Sequence, residues 1–341
     1  MSKKKIAITM GDPSGIGAEI VVKALARKEI YDICCPIVIG DYEPIADAIR
    51  FTGSSVRAKC IENAEDDIPG YGTISLLNLG LLSPGSWEYK KNGKRSGEAA
   101  FQYIVNAIKL AEEHKVAAVV TGPISKEAIH MAGHLYAGHT EIFADYTKTK
   151  NYGMLLTSGR LRVIHVTTHV SMREACDIIR NNPEKVKNTI QLAQYAMRQI
   201  GIERPRIGVA GLNAHASENG LFGDEEMVSI IPAIEAAREN GIDVEGPIPP
   251  DTVFVKAMAG KYDVVVAMYH DQGHIPLKLS GFQMDGKTDK FLSVSGVNST
   301  IGLPIVRTSV DHGTAYDRAG EGRANEQSMV DAIKMAVRMS K

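Results

Sequence analysis

The sequence has little that would bring the protein to a nucleic acid or a membrane. Its 39 Lys and Arg residues nearly balance its 40 Asp and Glu residues, which gives a net charge of -1, so no strong attraction to polyanions is expected. No apolar run approaches the roughly 18 residues of a membrane span. After the basic residues at positions 3–5, only Ile6–Met10 precede a glycine-containing loop, which is too short for a secretory signal. Nucleic acid and membrane are therefore not expected as partners.

Cysteine is also scarce. The four cysteines are Cys34, Cys35, Cys60 and Cys176. They show no CxxC spacing, and an adjacent pair is a poor framework for disulfides. We therefore expect a reducing, cytoplasmic location.

Several catalytic and nucleotide-binding motifs are missing. No GxSxG elbow, HExxH helix or Walker loop is present, which weakens serine-hydrolase, zincin and nucleotide-triphosphate interpretations. The loop Gly11–Glu19 does join a strand-like run to a helix, and Pro36–Asp41 resembles a second strand ending in an acid. The Rossmann fingerprint is nevertheless incomplete, because Ile20 stands where the third glycine is required. A Rossmann domain remains an alternative that this spacing disfavours.

What the sequence does contain is a long alternation of strand-like and helix-like patterns. With 341 residues the chain exceeds the usual size of a single core, so two subdomains are expected. The alternation predicts a three-layer α/β architecture with a mainly parallel sheet. Strands are predicted at 5–10, 36–41, 115–121, 162–168, 206–212 and 262–268. Helices are predicted at 98–114, 171–179, 184–200, 225–240 and 325–339.

Three of the predicted strands lead directly to a histidine. These residues are His169, His215 and His270. Ligands of open α/β sheets bind beyond the carboxyl ends of the strands, so the three side chains could converge. Three neutral imidazoles with an open position suit a catalytic divalent metal. Asp271 could orient His270 or could cap the following turn, and the histidines at 114, 130, 134 and 165 are interpreted as core or surface groups.

Three cations lie close to strand ends or glycine-rich turns. They are Lys126, Lys278 and Arg307, which would suit a phosphate or carboxylate substrate but could equally be surface charges. Gly138–Glu141 lies at the predicted start of a helix, where the helix dipole favours an anion.

Six motifs together resemble the 4-hydroxythreonine-4-phosphate dehydrogenase family of vitamin B6 biosynthesis. The motifs are Met10–Glu19, Thr121–Ile124, Gly138–Glu141, Val166–His169, Tyr269–Gly273 and Arg307–Ala315. The resemblance implies a fold like that of isocitrate and isopropylmalate dehydrogenases, with NAD bound outside any Rossmann domain. It implies two subdomains flanking a cleft, residues 1–125 with 298–341 on the cofactor side and residues 126–297 on the dimerisation and metal side.

The resemblance also assigns roles to individual residues. His169, His215 and His270 become ligands of one divalent metal (Zn, Mg, Co or Mn), with His270 contributed across a homodimer interface so that the active site is shared. The substrate-binding positions are His139, Thr140, Lys278, Asn298 and Arg307. The positions expected to meet NAD or NADP are Gly11, Asp12, His312, Gly313, Thr314 and Ala315.

The family chemistry fits these residue types. Such enzymes oxidise a secondary alcohol β to a carboxylate, and the resulting β-keto acid loses carbon dioxide. A divalent ion can assist both steps as a Lewis acid, and Lys278 with Arg307 would orient the phosphate or carboxylate. Asp251 and Lys278 are candidates for the general base, and Asp271 is a weaker one.

Two segments depart from the usual family pattern. Gln283–Gly296 intervenes between Phe282 and Val297, and Asn213–Glu218 reads Asn-Ala-His-Ala-Ser-Glu where Asn-Pro-His-Ala-Gly-Glu is usual. The longer segment favours the branch similar to D-threonate or D-erythronate 4-phosphate dehydrogenases over 4-phosphohydroxy-L-threonine as substrate. Two alternatives from other classes are a three-histidine metal-dependent hydrolase and a non-catalytic metabolite-binding protein.

Overall fold

The computed structural model describes residues 3–66, 70–286 and 290–340. The strands are β1 (Lys5–Thr9), β2 (Cys35–Gly40), β3 (Arg57–Ile61), β4 (Thr73–Asn78), β5 (Ala118–Thr121), β6 (Gly153–Ser158), β7 (Leu161–His165), β8 (Ile207–Ala210), β9 (Val244–Ile248), β10 (Val264–Ala267), β11 (Phe282–Asp285), β12 (Lys290–Val294), β13 (Val297–Ile301) and β14 (Arg307–Val310). The α-helices are α1 (Gly17–Leu25), α2 (Lys28–Ile33), α3 (Tyr42–Thr52), α4 (Lys94–Glu112), α5 (Lys126–Met131), α6 (His139–Tyr146), α7 (Met172–Asn181), α8 (Pro183–Gln199), α9 (Ile231–Glu239), α10 (Pro250–Met258), α11 (His270–Gly281) and α12 (Gln327–Met339). Among these described residues, no helix combines the length and apolarity that crossing a bilayer requires.

The chain divides into two compact units. Unit 1 comprises Met1–Lys150 and Leu303–Lys341, and unit 2 comprises Asn151–Gly302. The boundaries that the family resemblance implies are 125/126 and 297/298. The difference assigns α5 and α6, with His139 and Thr140, to the same unit as Arg307.

Unit 1 is built on strands in the order β3-β4-β2-β1-β5-β14. Every pairing in this set is parallel. Strands β5 and β14 are buried along their whole length, as is β1 beyond its first residue. Parallel strands buried in this way need helices on both faces of the sheet. The order differs from the Rossmann order 3-2-1-4-5-6, which agrees with the incomplete fingerprint.

Unit 2 contains strands in the order β13-β6-β7-β10-β8-β9. The pairs β13–β6 and β6–β7 are antiparallel, whereas β7, β10, β8 and β9 pair in parallel. The parallel strands lead to His169, His270 and His215, so their carboxyl ends meet at one edge, as the sequence predicted. The prediction of a mainly parallel α/β fold is confirmed.

The unusual segment after Phe282 forms a ribbon of its own. Strands β11 and β12 pair in antiparallel register, with Phe282 opposite Val294 and Asp285 opposite Lys290. Residues 287–289 of this segment lie outside the described residues. The described parts of the longer departing segment therefore form an antiparallel two-stranded ribbon.

Local signals explain where several helices begin. Ser125 and Ser171 accept hydrogen bonds from the backbone N–H groups of Ala128 and Glu174, which start α5 and α7. Asn182 caps α8 in the same way, and Pro183 occupies its first turn. These are the side-chain caps that short polar residues supply. The predicted helix at 225–240 is divided in the structure into a π-helical turn, Glu226–Ile230, and α9.

Candidate functional site

The first cluster of candidate functional side chains lies in unit 1, around a buried arginine. Arg307 begins β14, and its side chain is 2 % exposed. Its Nη2 donates a hydrogen bond to Thr121 Oγ1 at 2.7 Å, and its guanidinium lies 5.6 Å from the centre of the Phe143 ring. Burial lowers the pKa of Arg307 to about 9, which leaves the group charged at neutral pH.

His139 lies next to this cation, at the start of α6. Burial and the nearby Arg307 charge hold the pKa of His139 well below its usual range, and a hydrogen bond to the Gly122 backbone acts in the opposite direction. The ring is therefore neutral. Its Nε2 is shielded from solvent and has no hydrogen-bond partner within the described ranges. Thr140 follows in the first turn of the same helix.

His139 and Thr121, the hydrogen-bond partner of Arg307, border a cleft in unit 1. The cleft has about 370 Å³ of empty space, part of it open to solvent, and is lined among others by Thr121, Lys126, His139, Ser309 and His312. A lysine and a neutral imidazole at the start of a helix form a surface that can bind an anion such as a phosphate. The structure thus brings together His139, Lys126 and the Arg307–Thr121 pair, while Lys278 and Asn298 belong to unit 2.

The positions predicted to meet the cofactor also come together in unit 1. Asp12 is fully buried, accepts a hydrogen bond from Ser14 N at 2.8 Å and accepts another from the Tyr316 hydroxyl at 2.7 Å. Burial raises the pKa of Asp12, and the bonds from Tyr316 and Ser14 lower it.

The glycines of the same loop permit its close packing. Gly11 has φ +80°, and a Cβ added there would lie 2.5 Å from Pro123 O, so only glycine fits. A Cβ on Gly15 would lie 2.8 Å from Thr314 O, and Ile16 N donates to that same oxygen at 3.0 Å. The loops 11–17 and 312–315 therefore pack directly on each other.

Unit 2 gathers histidines at the edge where β7, β10 and β8 end. His270 is the first residue of α11, its ring lies 6.1 Å from the His169 ring, and its Nδ1 hydrogen-bonds Asp271 Oδ1 at 2.6 Å. Two histidines that the motifs did not single out as ligands are close by. His274 stacks on His270 at 3.6 Å, and His165 lies 4.8 Å from His274.

Burial determines the protonation state of His165 and His274. It lowers the pKa of His165 to about 3 and of His274 to about 4, so both rings are neutral at physiological pH. Gly273 makes the packing possible, because a Cβ there would lie 2.3 Å from His165 Nε2.

The third predicted ligand, His215, lies in an unusual turn. Residues His215 to Asn219 all have positive φ, a left-handed conformation that non-glycine residues rarely adopt. His215 Nδ1 lies 3.2 Å from Glu218 Oε2. In the part of the chain that the structure describes, no group of three or more His, Cys, Asp or Glu side chains is arranged to hold a metal ion.

A buried carboxylate that sequence reasoning missed supports this turn. Glu226 is fully buried, and its Oε1 accepts hydrogen bonds from the backbone N–H groups of Leu212 and Asn213 at 2.7 and 2.8 Å. Its Oε2 accepts a third bond from Asn213 Nδ2 at 2.8 Å. Glu226 opens the π-helical turn, a feature frequent at functional sites. No sequence motif marks it, because its role depends on contacts across the fold.

The remaining predicted residues lie on separate elements of unit 2. Asp251 is exposed in the first turn of α10, and Lys278 is in the last turn of α11, with its Nζ 5.8 Å from the Phe282 ring centre. Asn298 lies on β13 opposite Leu156. The hydrogen bond from His270 lowers the pKa of Asp271. Asp271 is therefore better suited to accept this bond and orient the imidazole than to act as a general base.

The family model described as pyridoxal phosphate biosynthetic protein PdxA matches residues 32–336. The chain belongs to this family. The family resemblance drawn from the motifs is therefore confirmed.

Named relatives within the PdxA family match over nearly the whole chain. The D-threonate 4-phosphate dehydrogenase of Cupriavidus necator is 45% identical over 336 residues, which covers 98% of this chain and 97% of the relative. The 4-hydroxythreonine-4-phosphate dehydrogenase of Desulfosudis oleivorans is 46% identical over 335 residues, which covers 97% and 95%. A crystal structure of 4-hydroxythreonine-4-phosphate dehydrogenase from Klebsiella pneumoniae superposes with a TM-score of 0.86 at 43% identity, covering 99% and 98%. These relatives confirm the prediction of an oxidoreductase of the dehydrogenase class.

Proposed function

We propose that this PdxA-family chain uses NAD to oxidise and decarboxylate a 4-phosphorylated four-carbon hydroxy acid. The preferred substrate is D-threonate 4-phosphate or D-erythronate 4-phosphate, ahead of 4-phosphohydroxy-L-threonine. Relatives named for both substrate types have nearly equal identity to this chain, so identity does not decide between them. The paired strands β11 and β12 support the hydroxy-acid branch, because they belong to the longer of the two segments in which the chain departs from the usual family sequence.

The observation that carries the proposal is the buried Arg307. Burying a cation is unfavourable unless negative charge compensates it. Glu141 lies close enough to raise the pKa of Arg307, and an anionic substrate bound at this helix start would add to that compensation. The bond of Arg307 to Thr121 fixes the guanidinium direction. We assign His139, Thr140 and Arg307, with Lys278 and Asn298, to substrate binding.

We further propose His169, His215 and His270 as the ligands of one divalent metal, Zn, Mg, Co or Mn. The donor set supports this, since imidazoles at one sheet edge are ordinary ligands of such ions. A divalent ion bound there supplies Lewis acidity, which acidifies an alcohol and stabilises negative charge as carbon dioxide departs. Asp271 fixes the orientation of the His270 ring through the 2.6 Å bond to Nδ1.

The residues of the chain then handle the proton and the orientation of substrate. Asp251 or Lys278 takes the proton of the hydroxyl, while hydride passes to the nicotinamide and leaves a ketone. The bond from the neighbouring carbon to the carboxylate then breaks, carbon dioxide leaves, and a proton adds to that carbon. Asp271 is the weaker candidate for the base, because its carboxylate already accepts a bond from His270.

We propose that the protein acts as a homodimer with a shared active site in a cytoplasmic compartment. His270 would then serve the partner subunit, as the family resemblance implies. The four cysteines lie in described segments and none is in a disulfide, which supports a reducing location.

The test is to incubate the protein with NAD, a divalent ion and each of the three candidate substrates. We expect NADH together with dihydroxyacetone phosphate from the threonate and erythronate phosphates. A product of 3-amino-1-hydroxyacetone phosphate would instead assign 4-phosphohydroxy-L-threonine. Turnover without nicotinamide would favour a metal-dependent hydrolase, and binding without turnover after metal addition would favour a metabolite-binding protein.

A further inference from the structure

A second cleft in unit 1 opens at the N-terminus of α4. It has about 590 Å³ of empty space, part of it open to solvent, and its lining includes Ser14, Trp87, Lys91, Lys94 and Arg95. None of these residues has a role in the function proposed above.

The charges at this helix end oppose the helix dipole. Lys94 and Arg95 occupy the first turn of the 19-residue helix α4, and that turn contains no acidic residue. Cations are unfavourable at a helix N-terminus, where the dipole is positive. Lys91 is already paired with Glu88 at 3.0 Å, so Lys94 and Arg95 are the cations that an anion bound there would neutralise.

The backbone at this end also suits an anion. The residue before α4, Gly93, has no side chain and provides no side-chain hydrogen bond to the helix. The first N–H groups of a helix lack intrahelical acceptors. Together with the dipole they form the arrangement that binds phosphate groups.

An independent observation comes from Ser14. The residue is 1 % exposed, lines the cleft, and its Oγ has no hydrogen-bond partner within residues 3–66, 70–286 and 290–340. Its backbone is fixed, because its N–H donates to Asp12 Oδ1 at 2.8 Å and its carbonyl accepts from Lys90 N at 2.9 Å. A buried hydroxyl without a partner is unfavourable unless a ligand completes its bonding.

Trp87 adds an aromatic surface to the same cleft. It is the single tryptophan of the chain and is half-buried. An indole face can stack on a heteroaromatic ring. Phosphate-binding groups beside an aromatic face are what a nucleotide requires.

We propose that this cleft binds the phosphate groups and an adjoining ring of the nicotinamide dinucleotide. The inference rests on the proposed NAD-dependent function and deepens it. Ser14 belongs to the loop that packs against Thr314, where the resemblance places the cofactor, through the 3.0 Å bond from Ile16 N. Arg307 is the cation proposed for the substrate phosphate. The phosphate groups that bind in the α4 cleft are therefore those of the dinucleotide.

The test measures dinucleotide affinity by calorimetry and by emission of Trp87. We expect NADH and ADP-ribose to quench Trp87. The Lys94→Ala/Arg95→Ala double variant should bind NADH about tenfold or more weakly, because it loses two charge-assisted contacts to phosphate. Lys109→Ala is the matched control, since Lys109 is exposed in the last turn of the same helix, and it should bind like the wild type.

Folding of the double variant is checked by its melting temperature, which should equal or exceed that of the wild type because two cations leave the positive end of a helix. A Lys94→Gln/Arg95→Gln variant should show the same loss of affinity. Unchanged NADH affinity in both double variants would overturn the proposal. Displacement of NADH by inorganic phosphate or by substrate alone would also overturn it, since the cleft would then serve the substrate phosphate.

The same preparations separate this inference from the proposed function. If the wild-type protein forms no NADH with any candidate substrate, the proposed function is wrong. If the wild type turns over and the double variants keep its KM for NAD, the function stands and the cleft assignment is wrong. A raised KM for NAD with an unchanged KM for the hydroxy acid supports both.

Discussion

The Tyr316 hydroxyl donates a hydrogen bond to Asp12 Oδ2 at 2.7 Å, although 304 positions of sequence separate the two residues. The bond ties the glycine-containing loop after β1 to the loop after β14, and both loops carry positions that the resemblance assigns to the cofactor. Asp12 is fully buried, so its carboxylate depends on the bonds that it accepts.

Tyr316→Phe should therefore destabilise the protein and weaken cofactor binding. A hydrogen bond to a buried charged group contributes about 1.5–3 kcal/mol, and we expect a loss of free energy of unfolding in that range, measured by urea denaturation. The KM for NAD should rise as well. Tyr42→Phe is the control, because Tyr42 is 42 % exposed. Equal effects of the two substitutions would show that the tie to Asp12 has no special role.

Arg307→Met should raise the substrate KM by about 100-fold or more, because removal of a charged binding partner from a buried site costs about 3 kcal/mol. Arg307→Lys should recover only part of this loss, since an ammonium cannot reproduce the planar guanidinium that donates to Thr121. Steady-state kinetics provide the measurement. Wild-type KM in Arg307→Met would exclude a role of Arg307 in substrate binding. Arg50→Met, at an exposed arginine of α3, is the control and should leave KM unchanged.

His139 should make the protein less stable in acid. The folded state keeps the ring neutral because its pKa is well below 6.5, whereas the unfolded chain binds a proton as pH falls through 6.5. Stability contributed by the neutral ring is thus present above pH 6.5 and is lost below it, by up to about 2 kcal/mol at pH 5. His139→Gln should reduce this dependence of unfolding free energy on pH. His130→Gln, at an exposed histidine, is the control and should keep the wild-type dependence of unfolding free energy on pH. The same dependence in wild type and both variants would show that His139 does not cause the loss of stability in acid.

Glu226→Gln should lower metal affinity by about 10- to 100-fold, which is typical for loss of a group that orients a ligand. The amide of Gln would turn an N–H₂ group towards donors that now point at a carboxylate, and the turn carrying His215 would shift. Competition with a coloured chelator for Zn²⁺ or Co²⁺ measures the affinity without reference to turnover. Glu235→Gln, at an exposed position of α9, is the control. Unaltered metal affinity in Glu226→Gln would confine Glu226 to a structural role.

Mixed dimers test whether His270 serves its own chain or the partner. His169→Ala and His270→Ala should each be inactive alone, but if the site is shared, a mixed dimer should recover about one intact site. Within one chain the rings of His169 and His270 lie 6.1 Å apart, so a site formed by a single chain is the alternative that this experiment tests. No recovery on mixing the two variants would assign His270 to its own subunit.

The sequence by itself determined the class of fold and predicted the sheet edge at which three histidines lie. Strand and helix patterns repeat over a few residues, so alternation along the chain predicts a parallel sheet, and polar residues after buried strands mark the carboxyl edge. His169, His215 and His270 were found in this way because their signal is local. The family and its dehydrogenase class also followed from short motifs that are contiguous in sequence.

Only the tertiary structure decided which distant residues meet. Tyr316 reaches Asp12, Arg307 reaches Thr121 across 186 positions, and Glu226 holds the backbone before His215. Each of these contacts depends on the order of strands in a sheet or on the packing of one loop on another, and neither leaves a periodic trace in sequence.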